Sequence, residues 1–281
     1  MLKQRLLTAL ILLPFLIWGI LQLPTAYFAL LLGLVIVQGA WEWGRLMQLQ
    51  STKGKILVAL SVTAGLYACW WLLGQNEPVW LSLLVVALFW WLLALIWVVS
   101  YPRMASRWSS TRRRFLIGLL ILAPTWLSLV ALHGEENIGP YLVLYLLSLI
   151  WVADSGAYFG GRTWGKHKLA VAVSPGKTWE GVAAAIIATT VYSFAATILL
   201  QLPVNQWLVF VVLSLLTVVF SILGDLNESM FKRHAGVKDS GTLLPGHGGV
   251  LDRIDSITAA APVFVVGLWL GDFTFFGVSG G

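Results

Sequence analysis

Acidic residues recur at helical spacing in two short stretches toward the C-terminal end of the chain. In "ILGDLNESMFKR", Asp225 and Glu228 are i,i+3 neighbours and Ser229 is i+4 from Asp225, so a helix would carry all three on one face. In "GHGGVLDRIDS", Asp252, Asp255 and Ser256 repeat that spacing. If the first stretch ends one helix and the second starts the next, antiparallel packing brings the four carboxylates together. Like charges that close repel unless a cation neutralises them. Oxygen donors of this kind suit Mg²⁺, which takes one or two carboxylates and completes its shell with phosphates and water. Helix capping is the competing account, because an aspartate near a helix N-terminus is favourable unaided. It covers Asp252 and Asp255 but leaves Asp225 and Glu228 unexplained.

Between the two stretches lies "KRHAGVKDSGTLLPGHGG". Lys232, Arg233 and Lys238 supply cations there. Glycines let a backbone approach a ligand closely, and successive amides form anion-binding nests. Cations, amides and metal-type carboxylates are together the parts of phosphoryl or nucleotidyl transfer. His247 fits either a general base or a turn residue bonded to backbone. A second polar stretch is "ADSGAYFGGRTWGKHKLAVAVSPGKTWEG". Its Gly176-Lys177-Thr178 looks like the end of a Walker A loop, but that motif requires glycine at position 171, where this chain has Val171. Ser174, Lys177 and Thr178 still precede a helix start, which is a natural seat for phosphate. Asp154 is a further ligand or a partner for Arg162.

These side chains need a scaffold, and the rest of the chain is apolar. Of 281 residues, 59% are hydrophobic and 11% charged, with a mean hydropathy of +0.85; soluble domains carry about 25% charged residues. About nine stretches approach the roughly 20 apolar residues that a spanning helix needs: 6–23, 25–43, 56–74, 79–100, 115–132, 140–158, 181–200, 207–224 and 257–276. The expected fold class is therefore an all-α integral membrane protein with no separate soluble domain. The first stretch follows Lys3 and Arg5 as a signal peptide would, but its length and the lack of an A-x-A-like site predict a retained helix. All 18 Lys and Arg fall into alternate connections, while the others hold only Glu77, Glu135, Glu136 and Asp272. That asymmetry predicts a cytoplasmic N-terminus and an external C-terminus. It also accounts for the net charge of +6, so no nucleic-acid partner is expected. A lone Cys69 excludes a disulfide within the chain. Residues 1–132 read as a five-span scaffold carrying almost no chemistry, and 133–281 as a four-span catalytic region with two polar cytoplasmic loops. Trp41, Trp43, Trp80 and Trp207 lie near span ends, where aromatic belts sit. Arg112, Arg113 and Arg114 are expected to anchor the fifth span against anionic headgroups.

Residues 229–255, "SMFKRHAGVKDSGTLLPGHGGVLDRID", resemble the signature of the phosphatidate cytidylyltransferases, or CDP-diacylglycerol synthases. That pattern is S-x-apolar-K-R, four residues, K-D, a small and an apolar residue, then P-x-H-G-G-x-x-D-R-x-D, and every defined position is filled. "SPGKTWEG" from Ser174 and "DSGAYFGGR" from Asp154 are similar to the same family. The resemblance covers about the C-terminal half; residues 1–132 agree only in being hydrophobic. It implies the reaction of CTP with phosphatidate to give CDP-diacylglycerol and pyrophosphate, in a bacterial cytoplasmic membrane with the active site facing the cytoplasm. It places metal binding on Asp225 and Asp252, to which the helix-face spacing adds Glu228 and Asp255. The expected cofactor is Mg²⁺, with room for a second cation. The resemblance makes Asp225, Asp252, Lys238 and Asp239 the catalytic candidates. Ser174, Lys177, Thr178, Ser229, Lys232, Arg233, His247, Gly248, Gly249 and Arg253 are the substrate-binding candidates, and a homodimer is compatible with this reading. Two rivals remain. Another lipid-phosphate nucleotidyltransferase would share the composition. An ion-coupled transporter would place its charges near the bilayer midplane, whereas here the acids sit at span ends.

Overall fold

The computed structural model of the chain describes residues 13–75, 79–243, 246, 248–271 and 273. The long runs of Leu, Val, Ala and Trp form helices because their backbone groups can be satisfied within the segment, the only open solution in lipid apart from a closed barrel. In chain order these are α1 (Leu13–Gln22), α2 (Thr25–Leu46), α3 (Thr52–Leu73), α4 (Val79–Ser100), α5 (Thr111–His133), α6 (Gly139–Trp164), α7 (Trp179–Leu199), α8 (Val204–His234) and α9 (Leu251–Leu270). Eight of them, α2 to α9, are long and apolar enough to cross a membrane. The expected first span lies partly outside the described residues, and α1 is its described part. Large apolar side chains such as Leu30, Leu34, Tyr67, Val99, Leu199 and Leu208 are exposed on the bundle surface, as lipid-facing side chains would be.

Among the described residues the only regular non-helical element is a small antiparallel hairpin, β1 (Lys168–Ala170) with β2 (Ser174–Thr178). The sequence reading expected no strand there. The hairpin sets Lys168 opposite Thr178 and Ala170 opposite Ser174.

The core is built around α5 and α9. Helix α5 packs against α2, α3, α4, α6 and α9, and α9 packs along α8. Two close approaches decide where the polar residues end up. On α6, a Cβ at Gly160 would collide with that of Ala184 on α7, so glycine lets these helices lie side by side, as small residues do in membrane bundles. On α8, a Cβ at Gly224 would meet the backbone oxygen of Asp255 on α9. That contact brings Asp225 beside the start of α9.

The C-terminal ends of α2, α6 and α8 gather with the N-terminal ends of α3, α5, α7 and α9 at one end of the bundle. Apart from Lys3 and Arg5, which lie outside the described residues, every Lys and Arg belongs to this end or to the connections beyond it. At the opposite end His133 closes the bundle, with Nδ1 3.0 Å from Thr25 Oγ1 and Nε2 2.9 Å from the Ile20 carbonyl.

Two expectations for the scaffold change. Arg114 is buried and donates to the Leu46 carbonyl at 3.0 Å and to Gln48 Oε1 at 3.3 Å. It therefore ties α5 to α2 instead of meeting headgroups. Trp43 is also buried, and its Nε1 donates to the Arg114 carbonyl at 2.9 Å. It belongs to a cluster in which Phe231 of α8 sits against Trp43 and Trp108, with ring centroids 4.8 and 4.6 Å apart. This packing continues α8 past its apolar run. At 31 residues the helix is about 46 Å long at 1.5 Å per residue, well beyond a hydrocarbon core of about 30 Å.

Candidate active site

The last turns of α8, the first turn of α9 and the hairpin meet at the basic end. Lys177, on β2, donates to Asp225 Oδ2 at 2.8 Å, and Ser229 Oγ donates to Asp225 Oδ1 at 3.3 Å. Lys232 is buried between Asp252 Oδ1 at 2.7 Å and Glu228 Oε1 at 3.5 Å. Asp252 Oδ2 accepts from the Ser240 amide at 2.9 Å, the Ser240 hydroxyl at 2.9 Å and the Gly249 amide at 2.8 Å. Asp255 Oδ1 accepts from the Ser256 amide at 2.7 Å, and its carboxyl is an electrostatic neighbour of both Glu228 and Asp225. The four carboxylates predicted from helical spacing thus converge, with two lysines set among them.

Glu228 is the demanding member. Both its oxygens are buried with no geometric hydrogen bond among the described residues; Lys232 Nζ stands 3.5 Å from Oε1, and the Asp255 carboxyl is its neighbour. The donor set, all oxygen, is chemically suited to a hard cation. Among the described residues no group of three or more His, Cys, Asp or Glu side chains is placed to hold a metal ion.

Beside this cluster a cavity of about 500 Å³ opens between α6, α7 and α8. Asp154, Arg162, Gly176, Lys177, Thr178 and Asp225 lie on its wall, with alanines and Ile222 completing an apolar lining. Asp154 is an electrostatic neighbour of Lys177 and Asp225. Arg162 turns elsewhere: it donates to the Tyr158 hydroxyl at 2.7 Å and lies over that ring, so the predicted Asp154–Arg162 pair does not form.

The other predicted residues separate into framework and open positions. Thr178 is buried and its Oγ1 accepts from the Gly181 amide at 3.2 Å, capping α7 as threonines do. Glu180 accepts from the amides of Lys166 at 3.1 Å and His167 at 3.2 Å and pairs with His167 Nδ1 at 2.6 Å. That fastens the turn before β1. Arg233 Nε donates to the Val173 carbonyl at 3.1 Å, holding the hairpin tip to the end of α8. Ser174 is half-buried on β2, while Lys238, Asp239 and Arg253 are exposed. Gly248 has φ of +83°, a conformation open to glycine at no steric cost, and its neighbour Gly249 supplies an amide to Asp252. His247 lies outside the described residues.

One residue of the site escaped the sequence reading. Glu42, near the end of α2, accepts from Ser240 Oγ at 3.0 Å and from the amides of Val250 at 3.0 Å and Leu251 at 2.8 Å. Glu42 reaches the loop before α9 from within residues 1–132, the segment expected to carry almost no chemistry. The available signal was a lone acid at the end of an apolar segment, an expensive placement that usually has a reason.

Fold and site together define a multi-pass helical membrane protein with lysines and carboxylates concentrated at one end of its bundle. A family model described as the cytidylyltransferase family matches residues 3–270, and the chain belongs to that family. A protein of Pseudomonas aeruginosa named phosphatidate cytidylyltransferase is 45% identical over 269 residues, spanning 96% of this chain and 97% of the relative. Another of that name, from Haemophilus influenzae, is 42% identical over 286 residues, spanning 94% of this chain and 97% of the relative. A Staphylococcus haemolyticus protein of the same name is 40% identical over 145 residues, 52% of this chain.

Proposed function

We propose that this protein transfers CMP from CTP to phosphatidate, giving CDP-diacylglycerol and pyrophosphate. The observation that carries the proposal is the placement of Lys177, Lys232 and four carboxylates at one end of a spanning bundle, beside a cavity between helices. A soluble nucleotide and a membrane-held phosphate can meet only at such an end. The names of the relatives support the same choice of substrates.

In the reaction an oxygen of the phosphatidate phosphate forms a bond to the α-phosphorus of CTP. The bond from that phosphorus to the oxygen bridging the β-phosphate breaks, and pyrophosphate leaves with the electron pair. A phosphate monoester has its second pKa near about 6, so the nucleophile is largely ionised at neutral pH and needs no strong base. His247 is therefore not required for proton removal. Lys177, on the cavity wall, stands where it can take a phosphate oxygen, and charge-assisted bonds of that kind are among the strongest available; Lys232, buried between Asp252 and Glu228, is the second lysine assigned to phosphate. Arg233, Lys238 and Arg253 extend the positive surface around them, and Ser174, Ser229 and the glycine amides offer neutral donors. Asp239, next to Lys238, completes the loop's share of the site.

Asp225 and Asp252 are the residues that would hold Mg²⁺, with Glu228 and Asp255 completing the negative environment and leaving room for a second cation. When bound, such an ion supplies charge stabilisation to the attacking and leaving oxygens. The reading includes a bacterial cytoplasmic membrane, with the basic end of the bundle facing the cytoplasm, as retention of Lys and Arg on that side predicts.

Purified protein given phosphatidate and CTP labelled at the α-phosphorus should move label into the lipid fraction; γ-label should appear only in pyrophosphate. Absence of α-label from lipid, with folded protein and Mg²⁺ present, would remove the proposal.

A further inference from the structure

A further carboxylate reaches the site from a helix that the polar motifs do not include. Glu42 of α2 is only 3% exposed. Its Oε1 accepts from the Val250 amide at 3.0 Å and from Gln38 Nε2 at 3.2 Å. Its Oε2 accepts from the Leu251 amide at 2.8 Å and from Ser240 Oγ at 3.0 Å. Among the described residues no basic side chain forms an ion pair with it. Helix α9 has no cap from a side chain of its own N-cap residue, so Glu42 satisfies two of the amides that every helix start leaves over. The fit is close: a Cβ at Gly249 would collide with Glu42 Oε2.

The Ser240 hydroxyl joins this carboxylate to Asp252. It lies 3.0 Å from Glu42 Oε2 and 2.9 Å from Asp252 Oδ2. A hydroxyl carries one proton, so it can donate to only one of them at a time, and backbone amides on both sides provide the remaining donors. Asp252 Oδ2 is held by the amides of Ser240 and Gly249 and shares the Ser240 hydroxyl with Glu42, while Oδ1 is turned to Lys232. Without Glu42 the loop would lose the anchor that fixes Ser240 and the first residues of α9 at once.

We propose that Glu42 is a positioning residue for the transfer reaction: through Ser240 and the amides of Val250 and Leu251 it sets the side chain of Asp252. It touches neither substrate, and the proposal rests on the reaction given above. A plain cap would affect only stability. A positioning residue affects turnover per folded molecule while leaving substrate affinity nearly intact.

The test uses the full-length protein in detergent with Glu42→Gln, Ser240→Ala, the double variant and Glu42→Asp. Ser240→Ala removes the bridge and leaves the bonds from Glu42 to α9, so it serves even if Glu42→Gln does not fold. Each of Glu42→Gln and Ser240→Ala should lower kcat by about 10- to 100-fold, the scale of misplacing a reacting group, with KM for both substrates within about twofold. The double variant should be no worse than the worse single one, as expected for residues acting as one unit. Glu42→Asp should recover part of the rate. Amide hydrogen exchange of the peptide covering residues 238–255 should rise in Glu42→Gln and Ser240→Ala. Wild-type kcat in folded Glu42→Gln or in Ser240→Ala overturns the proposal, as does multiplicative loss in the double variant. Unchanged exchange overturns it whatever reaction the wild type performs; a wild type that transfers no CMP but shows the exchange response counts against the reaction alone.

Discussion

In the proposed reaction Lys177 would serve framework and substrate together. It pairs with Asp225 at 2.8 Å, with both side chains about 30% exposed (28% and 31%), so solvent screens the pair and its contribution to stability is small. In the proposed reaction its larger worth would lie in reaching a substrate phosphate from the cavity wall. A charge-assisted hydrogen bond contributes roughly 1.5–3 kcal/mol, which is about 10- to 150-fold in affinity. Lys177→Ala should therefore raise KM for CTP or phosphatidate at least several-fold while the unfolding temperature moves little. Unchanged kinetics for both substrates would make it a lysine of the fold only. Most such residues were legible because their types and spacing carry chemistry on their face: Asp225 with Glu228, Asp252 with Asp255, Lys177 before a helix start. Thr178 was legible as a polar residue at that start, but its hydroxyl oxygen faces the Gly181 amide, a local cap. Glu42 was not legible because nothing near it in sequence shares its task. Apart from Gln38 on its own helix, its partners are 198 to 209 positions away, and only the packing of α2 against α9 brings them together.

At the scale of elements, the site depends on two helix ends held side by side. Asp225 lies within α8, ahead of its last turns, which run on to His234, and Asp252 lies in the first turn of α9; Gly224 allows the approach between them. If the two carboxylates share a divalent cation, Asp225→Asn should fold with near-normal stability and lose activity by orders of magnitude, because a metal supplies several kcal/mol of charge stabilisation. Asp252→Asn should lose activity to a similar degree and also stability, since it breaks the buried bond to Lys232. Breaking a buried pair costs roughly 3–5 kcal/mol when the remaining charge stands alone, and Glu228 at 3.5 Å from Lys232 reduces that. The double variant should turn over little more slowly than the worse single one. Near wild-type rates in both single variants across a magnesium titration would exclude a shared ion. Helix identities were legible from apolar length, yet their ends were not. The apolar run of the eighth span stops near residue 224, while α8 continues to His234 because Phe231 packs against Trp43 and Trp108 where lipid no longer does. The hairpin was hidden for a different reason: strands of 3 and 5 residues are too short to show an alternating pattern above background.

Across the whole molecule the N-terminal and C-terminal halves are less separate than their compositions suggest. The polar motifs all lie beyond residue 150, but α2 lends Glu42 to the loop before α9, and Trp43 and Trp108 brace the end of α8. Arg114 in turn fastens α5 to α2 at that same end. The proposed function gives the crowding of basic residues at one end two compatible explanations: retention on the cytoplasmic side and service to phosphates in the site. Both are tested together by asking from which face of a membrane CTP is used. Sealed vesicles holding the protein and phosphatidate are prepared right-side-out and inverted, and impermeant CTP labelled at the α-phosphorus is added outside. Inverted vesicles should incorporate label into lipid at once, and right-side-out vesicles only after permeabilisation. Labelling of intact right-side-out vesicles at the same rate, or no labelled lipid in either kind after permeabilisation, would contradict a CMP transfer carried out at the lysine-rich end of the bundle.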